Sequence, residues 1–269
     1  MRALRTLILS AGVILAVTVP SLAVARPLIV GGSTSVLPLA EKLASAYSKA
    51  THQPRPKVKG GQSDVGVSEV CEGKFDIADV SRDPLLEGEP CKLKYVKIAH
   101  DALCIVTGKA DPITNLSQES VVNIFTGRYS DWSQVPGHKI TGPIDLFDRD
   151  GASGTQDAFQ HIFLEEGERI AGRATPKTSN GQEQVTVGKD KQAIGFVSLA
   201  YTAGTNVVGY NGIACNLRNA RSGQYLGVRN FWMAVKPNPP AQIVKFLSWV
   251  TSGRAAVNRI INSNWLSIY

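Results

Sequence analysis

The stretch Leu28-Ile29-Val30-Gly31-Gly32-Ser33-Thr34-Ser35 reads as a short apolar strand that breaks at two glycines and runs through three hydroxyl residues toward a helix. Val36, Leu39, Ala40, Leu43 and Tyr47 then recur at helical spacing, with Pro38 in the first turn. The same pattern returns twice. Lys57-Val58-Lys59 leads through Gly60-Gly61-Gln62-Ser63 into a short helix carrying Val67, Val70 and Cys71, which Gly73 ends. Ile144-Asp145-Leu146-Phe147 leads through Asp148-Arg149-Asp150-Gly151-Ala152-Ser153-Gly154-Thr155 into a helix with Ala158, Phe159, Ile162 and Phe163 on one face. Further strands are expected at 75–80, 98–106, 193–197 and 231–235, and helices at 120–125 and from Ile243 to Val250. Strand, turn and helix alternate along the chain, which predicts an α/β fold.

Each of the three turns places glycine and hydroxyl residues where a helix begins. The first N–H groups of a helix lack internal partners, and the helix dipole is positive there. Glycine lets an anion approach the backbone, and serine and threonine add donors. Taken singly, such a turn is an ordinary N-cap; three in one chain point to an oxyanion. Arg149, four residues before Ser153, adds planar donors that match oxyanion geometry. Arg82, after Ser81, is a second candidate, with a surface pair to Asp79 or Asp83 as its competing reading.

The ends and the cysteines bound the compartment. Arg2 and Arg5 precede an apolar run from Leu7 to Val19, and Ala23-Val24-Ala25 supplies a small-residue cut site. Residues 1–25 read as a secretory signal peptide, and the absence of a following cysteine argues against a lipid anchor. Removing Arg2 and Arg5 from the 29 basic residues leaves 27 against 22 acidic ones, a formal charge of +5 that suits an anionic ligand. No dense basic run with interleaved aromatics is present, so nucleic acid is not expected as a partner. Cys71, Cys91, Cys104 and Cys215 are an even set, suited to two disulfides in an oxidising compartment. Three pairings are open; Cys71–Cys91 with Cys104–Cys215 is favoured because the first closes a short loop. His52, His100, His138 and His161 are scattered and no Cys-x-x-Cys occurs, so neither metal nor cofactor is expected.

Together these motifs resemble the periplasmic phosphate-binding proteins of phosphate ABC transporters, over nearly all of the chain after residue 25. Gly32-Ser33-Thr34-Ser35-Val36 is similar to the family's opening phosphate loop, and Gly61-Gln62-Ser63 with Gly66 to its second. Asp76-Ile77-Ala78 ending in Ser81-Arg82 is similar to the third element of the shorter members. Asn123-Ile124-Phe125-Thr126-Gly127 with Trp132 resembles a signature of the second lobe, and Ala193-Ile194-Gly195-Phe196-Val197 the return strand. Arg149 with Ser153-Gly154-Thr155 matches the most specific loop of the set.

The resemblance implies a two-lobed fold of the type II periplasmic-binding-protein kind with the ligand in the cleft. Lobe 1 is expected from residues 26–104 and 201–269, and lobe 2 from 105–200, with the strands at 98–106 and 193–197 as crossings. It implies inorganic phosphate as ligand, held by Ser33, Thr34, Ser35, Ser63, Arg82, Arg149, Ser153, Gly154 and Thr155. It further implies a periplasmic monomer that delivers phosphate to a membrane ABC permease.

One departure bears on selectivity. Longer members carry an aspartate where this chain has Arg82, and that carboxylate accepts a hydrogen bond from protonated phosphate while repelling sulfate. Asp79, Asp83, Asp150 or a backbone carbonyl are the candidate substitutes here. The rival readings are a sulfate- or arsenate-binding protein, a phosphate sensor, and an exported phosphatase or esterase. The last lacks its parts: Ser153 has no glycine two residues on, and Lys177-Thr178 follows Pro176 rather than a phosphate-loop glycine.

Overall fold

The computed structural model describes residues 26–85 and 87–268; the expected signal peptide lies outside the described residues. In chain order the elements are β1 (Ile29–Ser33), α1 (Leu37–Thr51), β2 (Lys57–Gly61), α2 (Ser63–Cys71), β3 (Ile77–Val80), β4 (Lys94–Thr107), β5 (Asn115–Leu116), α3 (Gln118–Phe125), β6 (Asp145–Arg149), α4 (Gly154–Phe163), β7 (Thr175–Lys177), α5 (Asn180–Lys189), β8 (Ala193–Ser198), β9 (Asn206–Val207), β10 (Gly209–Tyr210), α6 (Leu217–Arg221), β11 (Val228–Val235), α7 (Ala241–Val250) and α8 (Ala255–Asn264).

One long mixed sheet runs β2-β1-β3-β11-β4-β8-β6-β7, with β9 attached to β4. β1 lies parallel between β2 and β3, and β6 parallel between β8 and β7. β11 and β8 flank β4 in antiparallel pairing. Each parallel set therefore aims the C-terminal ends of its strands, where ligands of open α/β sheets bind, toward the first turns of the helices that follow.

The apolar side chains separate into two principal cores. In the first, α1 lays Leu39, Leu43 and Tyr47 against β1, β3, β11 and the last two helices. Tyr47 meets Phe246 and Trp249 edge-on, with ring centroids 5.0 and 5.6 Å away. Leu39 and Leu43 are fully buried, and each contributes about 2 kcal/mol of transfer free energy. α2 covers the opposite face of this half-sheet with Val67 and Val70. The second core is built on Phe125, Phe159 and Phe196, the last two stacked at 4.0 Å between centroids.

β4 is long enough, at 14 residues, to serve both cores: Ile98 and Ala99 belong to the first, Ala102 through Val106 to the second. Its partner in crossing differs from expectation. Lobe 1 is expected to take up the chain again from residue 201, whereas Val208, Tyr210, Cys215, Ala220 and Tyr225 are buried in the second core. The Cys104–Cys215 disulfide and the Tyr225 hydroxyl, which donates to the Leu103 carbonyl at 2.7 Å, hold them there. β8 pairs with β4 only from Leu103 to Thr107, inside the second core, so the chain returns to the first through β11. The other disulfide joins Cys71 to Cys91, and no cysteine is free.

Gly32 is required at the end of β1. Its φ of 137° lies in the region L side chains avoid, and a Cβ there would sit 2.4 Å from the Asp79 carbonyl oxygen. That close approach turns the chain out of the sheet and into the hydroxyl loop Ser33-Thr34-Ser35.

Candidate anion-binding site

Three helices begin around one point between the cores. The first turns of α1 and α2 have no side-chain cap, whereas α4 is capped by Ser153, whose Oγ accepts from the Thr155 and Gln156 N–H groups. The loops in front of them touch across the cleft. Ser35 Oγ and Thr155 Oγ1 are 2.9 Å apart, Asp64 N donates to Ala152 O at 3.2 Å, and Gln62 donates to the Asp150 carboxylate. At Gly154 the approach is so close that a Cβ would stand 2.3 Å from Ser63 Oγ and 3.0 Å from the Arg82 backbone nitrogen. A side chain at position 154 would hold the two halves apart.

Of the nine residues expected at the site, Thr34, Ser35, Ser63, Ser153, Gly154 and Thr155 line this junction, and all are buried. Arg149, the last residue of β6, is 2 % exposed. Its Nε donates to the Lys177 carbonyl at 2.8 Å and its Nη2 to the Thr178 carbonyl at 3.1 Å, while its Nη1 is buried with no partner. Glu183 Oε2 stands 3.9 Å from Arg149 Nε and is itself unpartnered; Oε1 accepts from the Phe196 N–H. Desolvation pushes the Glu183 carboxyl up to about 8 against the pull of Arg149. Burial also lowers the Arg149 pKa, but a guanidinium starts so far above neutrality that it stays charged.

Ser33 braces the loop: its Oγ accepts from the Ser35 N–H and donates to Ser81 Oγ at 2.8 Å. Arg82 departs from its expected role. Its guanidinium is turned into acidic partners, with Nε to Asp64 at 2.8 Å and Nη1 and Nη2 to Glu89 at 2.9 and 3.2 Å. Burial would lower its pKa, but the bonds to Glu89 and Asp64 raise it overall. Only the Arg82 backbone reaches the junction. Two of the three candidate carboxylate acceptors are likewise occupied. Asp83 accepts from Asn230 and Trp232, and Asp150 from Gln62 and the Ala152 N–H. Asp79 pairs with Gly32 and Met233 in the sheet, its carboxyl unpartnered and pushed by burial to about 8.

Several contributors were not foreseen. Arg229 of β11 is buried; Nε and Nη2 bind Asp101 Oδ2 at 3.1 and 2.9 Å, Nη2 also reaches Ser35 Oγ at 2.8 Å, and Nη1 is without a partner. Its charge is among the causes that lower the Arg149 pKa, so the two guanidinium groups act on one region. Asn180, the first residue of α5, bonds Thr34 and Ser35 across the cleft, and the Tyr201 hydroxyl donates to the Thr34 carbonyl at 3.0 Å. The available signal was a charge inside an apolar strand: Asp101 within 98–106, and Arg229 beside Phe231-Trp232-Met233.

A two-lobed α/β fold with donors gathered at the strand ends between its halves defines a binding protein that closes on a small anion. The sequence matches the family described as "PBP superfamily domain" over residues 18–254, and the chain belongs to that family. It is 24% identical to the phosphate-binding protein PstS of Borreliella burgdorferi over 235 residues, covering 83% of this chain and 84% of that one. PstS of Bacillus subtilis is 26% identical over 207 residues, 74% of this chain and 66% of its own. Among solved structures, a Clostridium perfringens protein with bound phosphate, described as a phosphate ABC transporter substrate-binding protein, superposes with a TM-score of 0.84 at 25% identity. That match covers 91% of this chain and 100% of that one. An ABC-type phosphate transport receptor from Vibrio cholerae gives a TM-score of 0.70 at 26% identity, covering 89% and 99%.

The saturation of Arg82 yields a test. Arg82→Ala leaves the mostly buried Glu89 carboxylate without its cation, so stability should fall by about 2 kcal/mol, several degrees in Tm. Oxyanion affinity should change less than about threefold, because no donor of the junction is lost. Calorimetric titration beside a thermal melt checks both, and a large affinity loss at unchanged Tm would contradict this placement of Arg82.

Proposed function

We propose that this chain is an exported receptor that captures inorganic phosphate between its lobes, without altering it chemically, and delivers it to an ABC importer. One observation carries the reading: Arg149 and Arg229 are both buried, and each has an Nη1 with no hydrogen-bond partner. A buried charge left with unspent donors is costly, and a multiply charged anion with four oxygens can take up donors from both. The uncapped starts of α1 and α2 add N–H groups and dipole to the same place. The donor set proposed is Thr34, Ser35, Ser63, Arg149, Ser153, Gly154 and Thr155, with the free Nη1 of Arg229 beside them; Ser33 braces the loop through its hydroxyl, and the Arg82 side chain is engaged by Asp64 and Glu89.

The relatives support the ligand. PstS proteins are named for phosphate, and the Clostridium perfringens structure holds it. The two disulfides fit an oxidising compartment outside the cytoplasm, and the residue 1–25 pattern, read as a signal peptide, supports export there, with the periplasm as the proposed destination. Capture proceeds by hinge closure: Gln62–Asp150, Asp64–Ala152 and Ser35–Thr155 are contacts that an open cleft would not make. Closure is also the signal a permease can read.

Two titrations test the reading. Arg149→Ala should weaken phosphate binding by on the order of a hundredfold or more, the loss of roughly 3 kcal/mol, and Arg149→Lys should restore only part, since an ammonium lacks the planar fork. Near-normal affinity in a folded Arg149→Ala protein would overturn the site. The second test uses pH. Glu183 is neutral below about 8 and ionised above it, and the ionised form cancels part of the Arg149 charge. Affinity should therefore fall as pH rises through about 8, relative to Glu183→Gln, by on the order of tenfold. The titration of phosphate itself is common to both proteins and cancels in the ratio; a ratio constant from pH 6.5 to 9 would contradict the role given to Glu183.

A further inference from the structure

The direction of every proton along one wall of the site follows from counting lone pairs. Asn180 is fully buried, and the Ser198 backbone N–H donates to its Oδ1 at 3.0 Å. A backbone N–H can only donate, so that end of the carboxamide is the oxygen and the other end is the NH₂. Nδ2 therefore donates to Thr34 Oγ1 at 3.0 Å and to Ser35 Oγ at 2.8 Å. The Asn180 backbone N–H donates to Thr34 Oγ1 as well, at 3.2 Å. Ser35 Oγ receives its second bond from Arg229 Nη2 at 2.8 Å.

A hydroxyl has two lone pairs and one proton. Thr34 and Ser35 each receive two bonds from groups that cannot accept, so neither hydroxyl has acceptor capacity left. Each proton is free only to be given away; that of Ser35 faces Thr155 Oγ1, 2.9 Å distant. The arrangement is closed into a ring that fixes it. Arg229 is held by Asp101 Oδ2, Asp101 Oδ1 accepts from Ser198 Oγ at 2.8 Å, and the Ser198 N–H holds Asn180.

We infer that Asn180 and Arg229 are positioning residues for anion capture, which lock the Thr34 and Ser35 hydroxyls as obligate hydrogen-bond donors. The inference rests on the phosphate-receptor reading and adds a specificity to it: the oxygens seated on this wall must be unprotonated. A protonated oxygen there would face a donor with a donor. Asn180 also belongs to the opposite side of the cleft from Thr34 and Ser35, so the lock is completed only on closure.

A double-mutant cycle tests this. The full chain is titrated with phosphate, arsenate and sulfate, and the cycle is run with whichever the wild type binds best. Asn180→Ala should weaken binding about tenfold in the wild-type background, and less than about twofold where Thr34→Val and Ser35→Ala have already removed the hydroxyls. Equal losses in both backgrounds would overturn the inference. Asn180→Asp keeps the size and the Ser198 bond but presents an acceptor to both hydroxyls. It should bind more weakly than Asn180→Ala by a factor that largely disappears where Thr34→Val and Ser35→Ala have removed the hydroxyls, whereas the added charge alone would weaken binding equally in both backgrounds, which would overturn the inference; it also serves where Asn180→Ala melts below the assay temperature. Preference for sulfate would overturn the phosphate reading and leave the cycle to be run with sulfate. Binding of none of the three overturns both.

Discussion

Two guanidinium groups lie inside this protein with donors unspent, and the rest of the structure is arranged around that constraint. Arg229 is half-answered: Asp101 neutralises it and Ser35 takes a further bond, leaving Nη1. Arg149 is answered less fully, by two backbone carbonyls and by a Glu183 carboxyl that desolvation pushes toward its neutral form. The region therefore carries net positive character in a place that water does not reach. The Thr34 and Ser35 hydroxyls beside it are turned to give a proton. An anion completes this arrangement, and a cation or an apolar ligand would be penalised by it.

The fold delivers these groups from opposite sides. β1 and α1 present Thr34 and Ser35, α2 presents Ser63, β6 and α4 present Arg149 and Thr155, and α5 presents Asn180. β4 threads both cores, and its Asp101 sits between the last first-core residue, Ala99, and the first second-core residue, Ala102. Asp101 ties to Ser198 on one neighbouring strand and Arg229 on the other. The crossing strands thus carry part of the electrostatics of the site, and direct bonds run from them through Arg229 to Ser35. Gly154 sets how closely the two sides approach, since a side chain there would strike Ser63 and the Arg82 backbone, and Gly32 sets how the loop leaves β1, since a side chain there would strike the Asp79 carbonyl.

Much of this was legible in the sequence, and the parts that were not have physical reasons. The three strand-glycine-hydroxyl-helix turns announced themselves because local chemistry and periodicity agree there. α5 did not, because the face it buries is Asn180, Glu183 and Val187: two of the three are polar, for the sake of the site, and hydrophobic periodicity is blind to such a helix. Arg82 followed a strand end as a ligand residue would, but the acids that claim it, Asp64 and Glu89, come from a helix start and a loop that only folding brings together. The packing of the stretch after residue 201 was hidden for a similar reason. Residues 208–225 carry few regular elements, and what assigns them to the second core is a disulfide across 111 positions and a set of scattered side chains.

The central claim is that one anion, in the closed cleft, is held by donors from both lobes. A crystal structure of the protein grown with phosphate tests it most directly. The account predicts phosphate within hydrogen-bond distance of Arg149, Thr155 and Ser153 on one side and of Thr34, Ser35 and Ser63 on the other. It also predicts that the Ser35–Thr155 contact is replaced by bonds to the anion, with Asn180 still bonded to both loop hydroxyls. Phosphate bound outside this junction, or held by one lobe alone with the Arg149 and Arg229 donors still unspent, would contradict it.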